Sequence, residues 1–259
     1  MDIVLDNAGL ELFGDLVLAD FLIESGLTEQ VVLHGKCFGW FVSDVVPADL
    51  DSLLACCCAP HPPGLDPVPA LRPSSPAGQP PAATAAGTAA AAAGGGTTGS
   101  TAQDTAARTA AGAGVGPAAA STPGWAVVNT LGQRWASHLA AGRWRFTTHP
   151  FWTTPHPFCW MPSIAPDLHA DLSTSSLLIF KGDLNYRKLV SDSRWAPTTP
   201  FSQALLGFLP APLLALRTCK ADVVTGLLPG QAELLDQRDP DWQVNGKFGM
   251  IQLCAGDES

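Results

Sequence analysis

The sequence predicts an α/β fold: a Rossmann-like three-layer sheet with flanking helices, broken by a long disordered insertion. Three observations predict it. Short apolar, β-branched runs recur along the chain, a stretch with helical spacing follows the first of them, and polar clusters stand repeatedly at the carboxyl ends of the runs. In open α/β sheets the strand-to-helix loops converge at that edge and helix N-termini aim free N–H groups at anions, so the pattern argues for a ligand site as well as a fold.

Residues 2–5 are a strand. Residues 9–25 carry Leu10, Phe13, Val17 and Phe21 at helical spacing and read as the helix that follows, with Gly26 as its stop. Residues 30–34 form a second strand, and Trp40-Phe41-Val42 lead into Ser43-Asp44 at what reads as another strand end. Residues 125–145, with Trp125, Val128, Leu131, Trp135, Leu139 and Trp144, suit a helix with one aromatic-rich face, interrupted by Gly132 and Gly142. Residues 149–168, full of Pro and aromatics, read as an irregular packed loop. Strands then follow at 177–180, 213–216 and 249–253.

Residues 59–123 are almost entirely Ala, Gly, Pro, Thr and Ser, with no aromatic and only Asp66, Arg72, Asp104 and Arg108 charged. Such a stretch cannot bury enough apolar surface to offset the entropy of ordering it, so a disordered insertion is expected between two parts of one domain, 1–58 and 124–259. Its charges cancel, leaving the whole net charge of −9 on the remainder. That argues against nucleic acid, which calls for a basic patch; a few bases among many acids suit one small anion.

Seven cysteines, three of them consecutive (Cys56, Cys57, Cys58), make a poor disulfide framework, and without a C-x-x-C pair a structural zinc site is not expected. No run of about 18 apolar residues predicts a membrane span. Nothing at the amino end reads as a secretory signal, and a cytoplasmic location is the default, with organelle targeting left open.

Asp6-Asn7-Ala8-Gly9 after the first strand sets a carboxylate beside an amide oxygen, hard donors suited to Mg²⁺ or Mn²⁺, with Asp44 available as a third. The same residues also suit a turn and a helix N-cap, and both readings stand. Lys181-Gly182-Asp183-Leu184-Asn185-Tyr186-Arg187-Lys188 packs cations, an amide, a carboxylate and the chain's sole tyrosine behind a buried strand, which favours ligand binding over a capped helix start. Arg217-Thr218-Cys219-Lys220 offers two cations able to neutralise a phosphate dianion, or a surface salt-bridging pair.

Familiar alternatives fail by inspection: there is no G-x-G-x-x-G after a strand, no G-x-x-x-x-G-K-[ST], no C-x₅-R and no G-x-S-x-G. Asp49-Leu50-Asp51 and Asp239-Pro240-Asp241 read as turns. No two histidines stand at H-x₃-H spacing, and His149 and His156 read as packing residues.

The runs from Asp2 to Leu12, Trp40 to Asp44, Phe180 to Lys188 and Arg217 to Lys220, taken in order, resemble the DUF89 family, and Arg217-Thr218-Cys219-Lys220 resembles the R-T-x-K motif of its acidic residue methyltransferase or sugar-phosphate phosphatase subgroup. The resemblance covers nearly all of the chain outside the insertion. It implies a metal-dependent phosphatase in which Asp6, Asn7 and Asp44 ligate a divalent cation (Mn²⁺, Ni²⁺, Co²⁺ or Mg²⁺), and these three with Asp183 carry catalysis. Asp6, Asn7, Asp183, Leu184, Asn185, Tyr186, Arg187, Arg217 and Lys220 would hold a small phosphorylated metabolite such as fructose 1-phosphate. The subgroup is also described as S-adenosylmethionine-dependent carboxyl methyltransferases, for which Glu11 and Asp44 would be the cofactor contacts; an inactive remnant is the third reading. Family members carry a helical domain ahead of the Asp-Asn motif, which this sequence is expected to lack, and a Pro expected near position 39 is Gly here.

Overall fold

In a computed structural model the protein is described over residues 1–59 and 123–256. The expected insertion at 59–123 lies, apart from its two edges, outside the described residues. The apolar run at the amino end forms β1 (Asp2–Val4), buried throughout. After it come α1 (Leu10–Glu24), β2 (Val31–Gly35), α2 (Pro47–Cys58), α3 (Pro123–Ala140) and β3 (Trp144–Thr148). Two 3-10 turns (Pro150–Thr153 and Phe158–Trp160) lead to α4 (Met161–Ile164), α5 (Pro166–Leu172), β4 (Leu178–Lys181) and α6 (Gly182–Leu189). Then follow α7 (Phe201–Ala204), β5 (Leu213–Thr218), α8 (Gln231–Arg238) and β6 (Gly249–Cys254).

The six strands form one sheet in the order β3-β2-β1-β4-β5-β6. The first five run parallel, and β6 pairs antiparallel with β5, Leu213 opposite Cys254 through Thr218 opposite Gly249. Strands from both sides of the insertion thus share one sheet. The connections leave β1 toward β2 and β3 on one side and toward β4 and β5 on the other, so the strand order reverses between β1 and β4. A crevice opens outside the carboxyl ends of strands at such a reversal.

Each face of the sheet has its own core. On one, Ile3, Leu5, Leu33 and Ile179 pack with Leu12, Leu16, Ala19 and Ile23 of α1 and with Trp135 and Trp144; on the other, Val4, Leu178, Phe180 and Leu213 pack with Phe151, Trp152, Phe158, Leu172 and Phe208.

Four expectations need correction. The stripe Leu10, Val17, Phe21 of α1 does not face the core: Leu10 is 86% and Phe21 59% exposed, while the Leu12–Leu16–Ala19–Ile23 stripe is buried. The helix is apolar nearly all round, so spacing alone could not orient it. Residues 40–44 are a loop, because Asp44 Oδ2 accepts from the Phe41 N–H at 2.7 Å and closes a turn there. The helix expected over 125–145 ends at Ala140, and Gly142 (φ 71°) turns the chain so that Trp144 begins β3. Asp49-Leu50-Asp51 is the start of α2, where Asp49 Oδ2 accepts from the Val46 N–H at 2.9 Å. The 149–168 segment is packed as expected, but as two 3-10 turns and two short helices.

α2 and α3 cross closely at Gly132, where a Cβ would lie 2.8 Å from the Cys57 backbone carbonyl carbon. Alanine improves helix propensity by about 1 kcal/mol but overpacks this contact by about 1–3 kcal/mol. Gly132→Ala is therefore expected to lower stability, read as a lower urea midpoint with an unchanged m-value.

Candidate active site

Three backbone hydrogen bonds build the floor of the crevice. Asn7 and Asp44 form an isolated antiparallel bridge; the Ala8 N–H donates to Ser43 O at 2.7 Å, and the Val45 N–H donates to Asp6 O at 3.1 Å. The Lys36 N–H donates to Val45 O at 2.8 Å, which extends the contact to the end of β2. Asp44, far along the chain from the adjacent Asp6 and Asn7, is thus brought beside them, with Asp6 and Asp44 both buried. Asn7 Nδ2 donates to Asp6 Oδ2 at 2.9 Å and to Glu11 Oε2 at 2.8 Å, and Asn7 Oδ1 accepts from Ser43 Oγ at 2.6 Å. Asp44 accepts from Lys36 Nζ through Oδ1 and from the Phe41 N–H through Oδ2.

β4 delivers the next group against the first. At Gly182 (φ 84°) a Cβ would fall 1.8 Å from Asp6 Oδ2, so only glycine lets α6 begin this close to the carboxylate. Lys181 Nζ lies 2.7 Å from buried Asp15 and 3.5 Å from Glu11. Asp183 Oδ1 accepts from Arg217 Nε at 2.7 Å and from the Lys220 N–H at 3.3 Å, tying α6 to the end of β5. Arg217 also donates to Ala221 O and Val223 O and lies over the Tyr186 ring, 4.3 Å from its centroid. Its guanidinium is saturated by protein, whereas Lys220 is exposed at the rim.

A cavity of about 520 Å³ collects Asp6, Asn7, Glu11, Lys181, Asp183, Arg217 and Lys220 around one space. Asn185 and Tyr186 face away from it. Asn185 Nδ2 donates to Leu5 O and Lys181 O, and Tyr186 is buried beside Thr225 with its ring stacked on Phe201. Leu184 and Arg187 instead line a second cavity of about 250 Å³, walled by Trp40, Phe41, Pro155 and Pro157, where Arg187 is paired with Asp192. Lys188 lies at the edge of that cavity, its amine pushed down to about 7 by burial and by Lys36.

Sequence reasoning passed over Lys36, Asp15 and the steric role of Gly182. Lys36 carried a usable signal, since it directly follows the apolar run 31–35 at the edge where the other site residues lie. The donor types, two carboxylates and an amide, suit a hard divalent cation, with Asp6 and Asp44 repelling each other; Asn7 turns its Nδ2 to Asp6 and its Oδ1 to Ser43, so ligation through the amide oxygen requires that amide to turn over. Among the described residues no group of three His, Cys, Asp or Glu side chains gathers as a ligand set, so the amide of Asn7 is needed to complete one.

Burial raises the Asp6 carboxyl from 3.8 to about 6, with Glu11 and Asp44 adding to the shift and Lys36 and Lys220 opposing it. The folded state therefore holds this proton more tightly than the unfolded chain does. The contribution to stability is complete below about pH 3.8 and disappears as pH rises through about 6, an effect on the order of 3 kcal/mol. Asp15, also raised to about 6 chiefly by burial, acts in the same window. Metal-free Asp6→Asn should show a shallower loss of stability between pH 4 and 7 than the parent in denaturant titrations, with the Asp15 share remaining.

Comparison with known proteins finds relatives over nearly the whole chain. Over its 255 matched residues, 98% of this chain, a zebrafish (Danio rerio) protein named damage-control phosphatase ARMT1 is 40% identical. The mouse (Mus musculus) protein of that name is 38% identical over 98% of the chain, and the human one 36% identical over 96%. The chain spans less than half the length of these relatives, 43% for zebrafish and mouse and 42% for human. The model of the damage-control phosphatase ARMT1-like domain matches residues 1–235, and the chain belongs to that family.

Proposed function

We propose that this protein is a metal-dependent phosphatase of small phosphorylated metabolites, with hexose phosphates such as fructose 1-phosphate as its substrate class. The observation that carries the reading is the Asn7–Asp44 bridge, which brings buried Asp44 beside the Asp6–Asn7 pair, and that pair lines a cavity also lined by Lys181, Arg217 and Lys220. Asp6, Asn7 and Asp44 would hold the cation, Mn²⁺, Ni²⁺, Co²⁺ or Mg²⁺. Bound there it would supply Lewis acidity toward a phosphoryl oxygen and acidify water.

The protein's own groups divide the remaining work. Arg217 is committed to Asp183, two carbonyls and the Tyr186 ring, so it acts by fixing the Asp183 carboxylate, which is then placed to orient a water or a sugar hydroxyl. Lys181 is committed to Asp15 and Glu11. Lys220 is the exposed cation of the cavity and is the group to meet the phosphate and stabilise its charge in the in-line displacement. Gly182 keeps α6 against Asp6, so phosphate and carboxylates share one space. No helix among the described residues is long and apolar enough to cross a membrane.

Phosphate release across a panel of hexose phosphates with Mn²⁺, Co²⁺, Ni²⁺ or Mg²⁺ tests the reading. Activity should vanish with chelator and fall at least about a hundredfold in Asp44→Ala, while Lys220→Ala should chiefly raise KM, by about tenfold or more. Turnover that is indifferent to chelator, or S-adenosylmethionine binding with no phosphate release from any substrate, would overturn it.

A further inference from the structure

Buried against Asp44 stands a cation that the family resemblance leaves without a role. Lys36 is the first residue beyond β2 and its backbone is fixed on both sides. At Gly35 a Cβ would lie 2.2 Å from the Phe146 ring, and the Lys36 N–H is held by Val45 O at 2.8 Å while the Val45 N–H is held by Asp6 O at 3.1 Å. The side chain is thereby directed to Asp44. Its ammonium is ion-paired with Asp44 Oδ1, and the two side chains are only 4% and 3% exposed. It is also the foremost charge acting on Asp6. A buried ammonium is stable only where its charge is answered, and here Asp44 answers it by direct contact, with Asp6 adding its field from farther off.

We propose that Lys36 is a positioning residue of this site: a built-in cation that locks one oxygen of Asp44 and sets the charge of the Asp6–Asp44 pair presented to a divalent cation and to a phosphate. The inference rests on the metal-site reading given above. Each carboxylate oxygen of Asp44 has a second lone pair, so the contacts from Lys36 and Phe41 orient the group without exhausting it. With Lys36 in place the two carboxylates and the ammonium sum to one negative charge; without it they sum to two. Coulomb attraction at this range in a shielded site then favours a bound cation and disfavours a bound anion. Loss of Lys36 should move the two affinities in opposite directions. Mere structural damage would weaken both.

The experiment measures Mn²⁺ binding to the full chain by calorimetry without substrate, inorganic phosphate binding to the Mn²⁺-loaded protein, and steady-state kinetics, for the parent, Lys36→Met and Lys36→Arg. In Lys36→Met, Mn²⁺ is expected to bind on the order of tenfold to a hundredfold more tightly, phosphate at least tenfold more weakly, and kcat to fall. Lys36→Arg keeps the charge and should hold the parent Mn²⁺ affinity within about threefold while kcat drops, because the guanidinium does not reproduce the compact ammonium contact. Unchanged Mn²⁺ affinity in folded Lys36→Met, or weaker binding of both ions, overturns the inference. If thermal melts show that Lys36→Met does not fold, a Mn²⁺ affinity in Lys36→Arg more than tenfold from the parent overturns it instead. A parent that binds Mn²⁺ but releases no phosphate defeats the phosphatase reading alone; a parent that binds no Mn²⁺ defeats both.

Discussion

The pairing of Asn7 with Asp44 across an isolated antiparallel bridge is the contact from which the rest of the site takes its geometry. β1 and β2 already run parallel, Val4 beside His34, so their carboxyl ends are neighbours. The loop leaving β2 must then return across the end of β1, and it does so through Ala8–Ser43, Asp6–Val45 and Lys36–Val45 hydrogen bonds that satisfy backbone groups which would otherwise be buried without partners. These bonds fix main chain before any side chain is considered. The main chain of Asp6 and Asp44 is held together by the same bonds that satisfy the loop, and the Asp6 carboxyl there is raised chiefly by its burial, with Glu11 and Asp44 adding to the shift.

The second constraint is steric and sits on the other side of β1. Parallel pairing of β1 with β4, Val4 beside Phe180, brings the first residue of α6 against Asp6, where no side chain fits. Asn185 reinforces the contact from within the helix, donating to Leu5 O and Lys181 O. The Asp183–Lys188 run is consequently divided: Asp183 faces the larger cavity, Asn185 and Tyr186 secure the helix to the core, and Leu184 and Arg187 face the smaller one. A motif that reads as one binding cluster in sequence is, in space, the edges of two cavities and a structural peg.

Much of this was legible in the sequence because the strands are short and almost wholly apolar, so that the polar residue ending each one stands out. Asp6, Lys181 and Arg217 were found that way, and the sheet edge they share follows from the α/β class. Where two apolar stripes wind round one helix, as in α1, periodicity gives the helix but not its facing, and only the sheet decides that Leu12 and Leu16 go in while Leu10 and Phe21 stay out. The loop 40–44 misled for a related reason: Trp40, Phe41 and Val42 have strand-like composition, yet a side-chain-to-backbone turn at Asp44 outweighs propensity there. Asp15 was illegible because its partner, Lys181, comes from a distant strand, and such contacts leave no local mark.

Charge placement reconciles so acidic a chain with the anion site proposed for it. The acids nearest the cavity are already answered: Asp15 and Glu11 by Lys181, Asp183 by Arg217, Asp44 by Lys36. Asp6 is the exception, since it meets the Asn7 amide and the unfavourable fields of Glu11 and Asp44, opposed at a distance by Lys36 and Lys220. Local charge near the cavity is thus close to balance, with one carboxylate in want of a cation and one exposed ammonium, Lys220, in want of an anion. A divalent ion and a phosphate together would satisfy both, which neither would do alone.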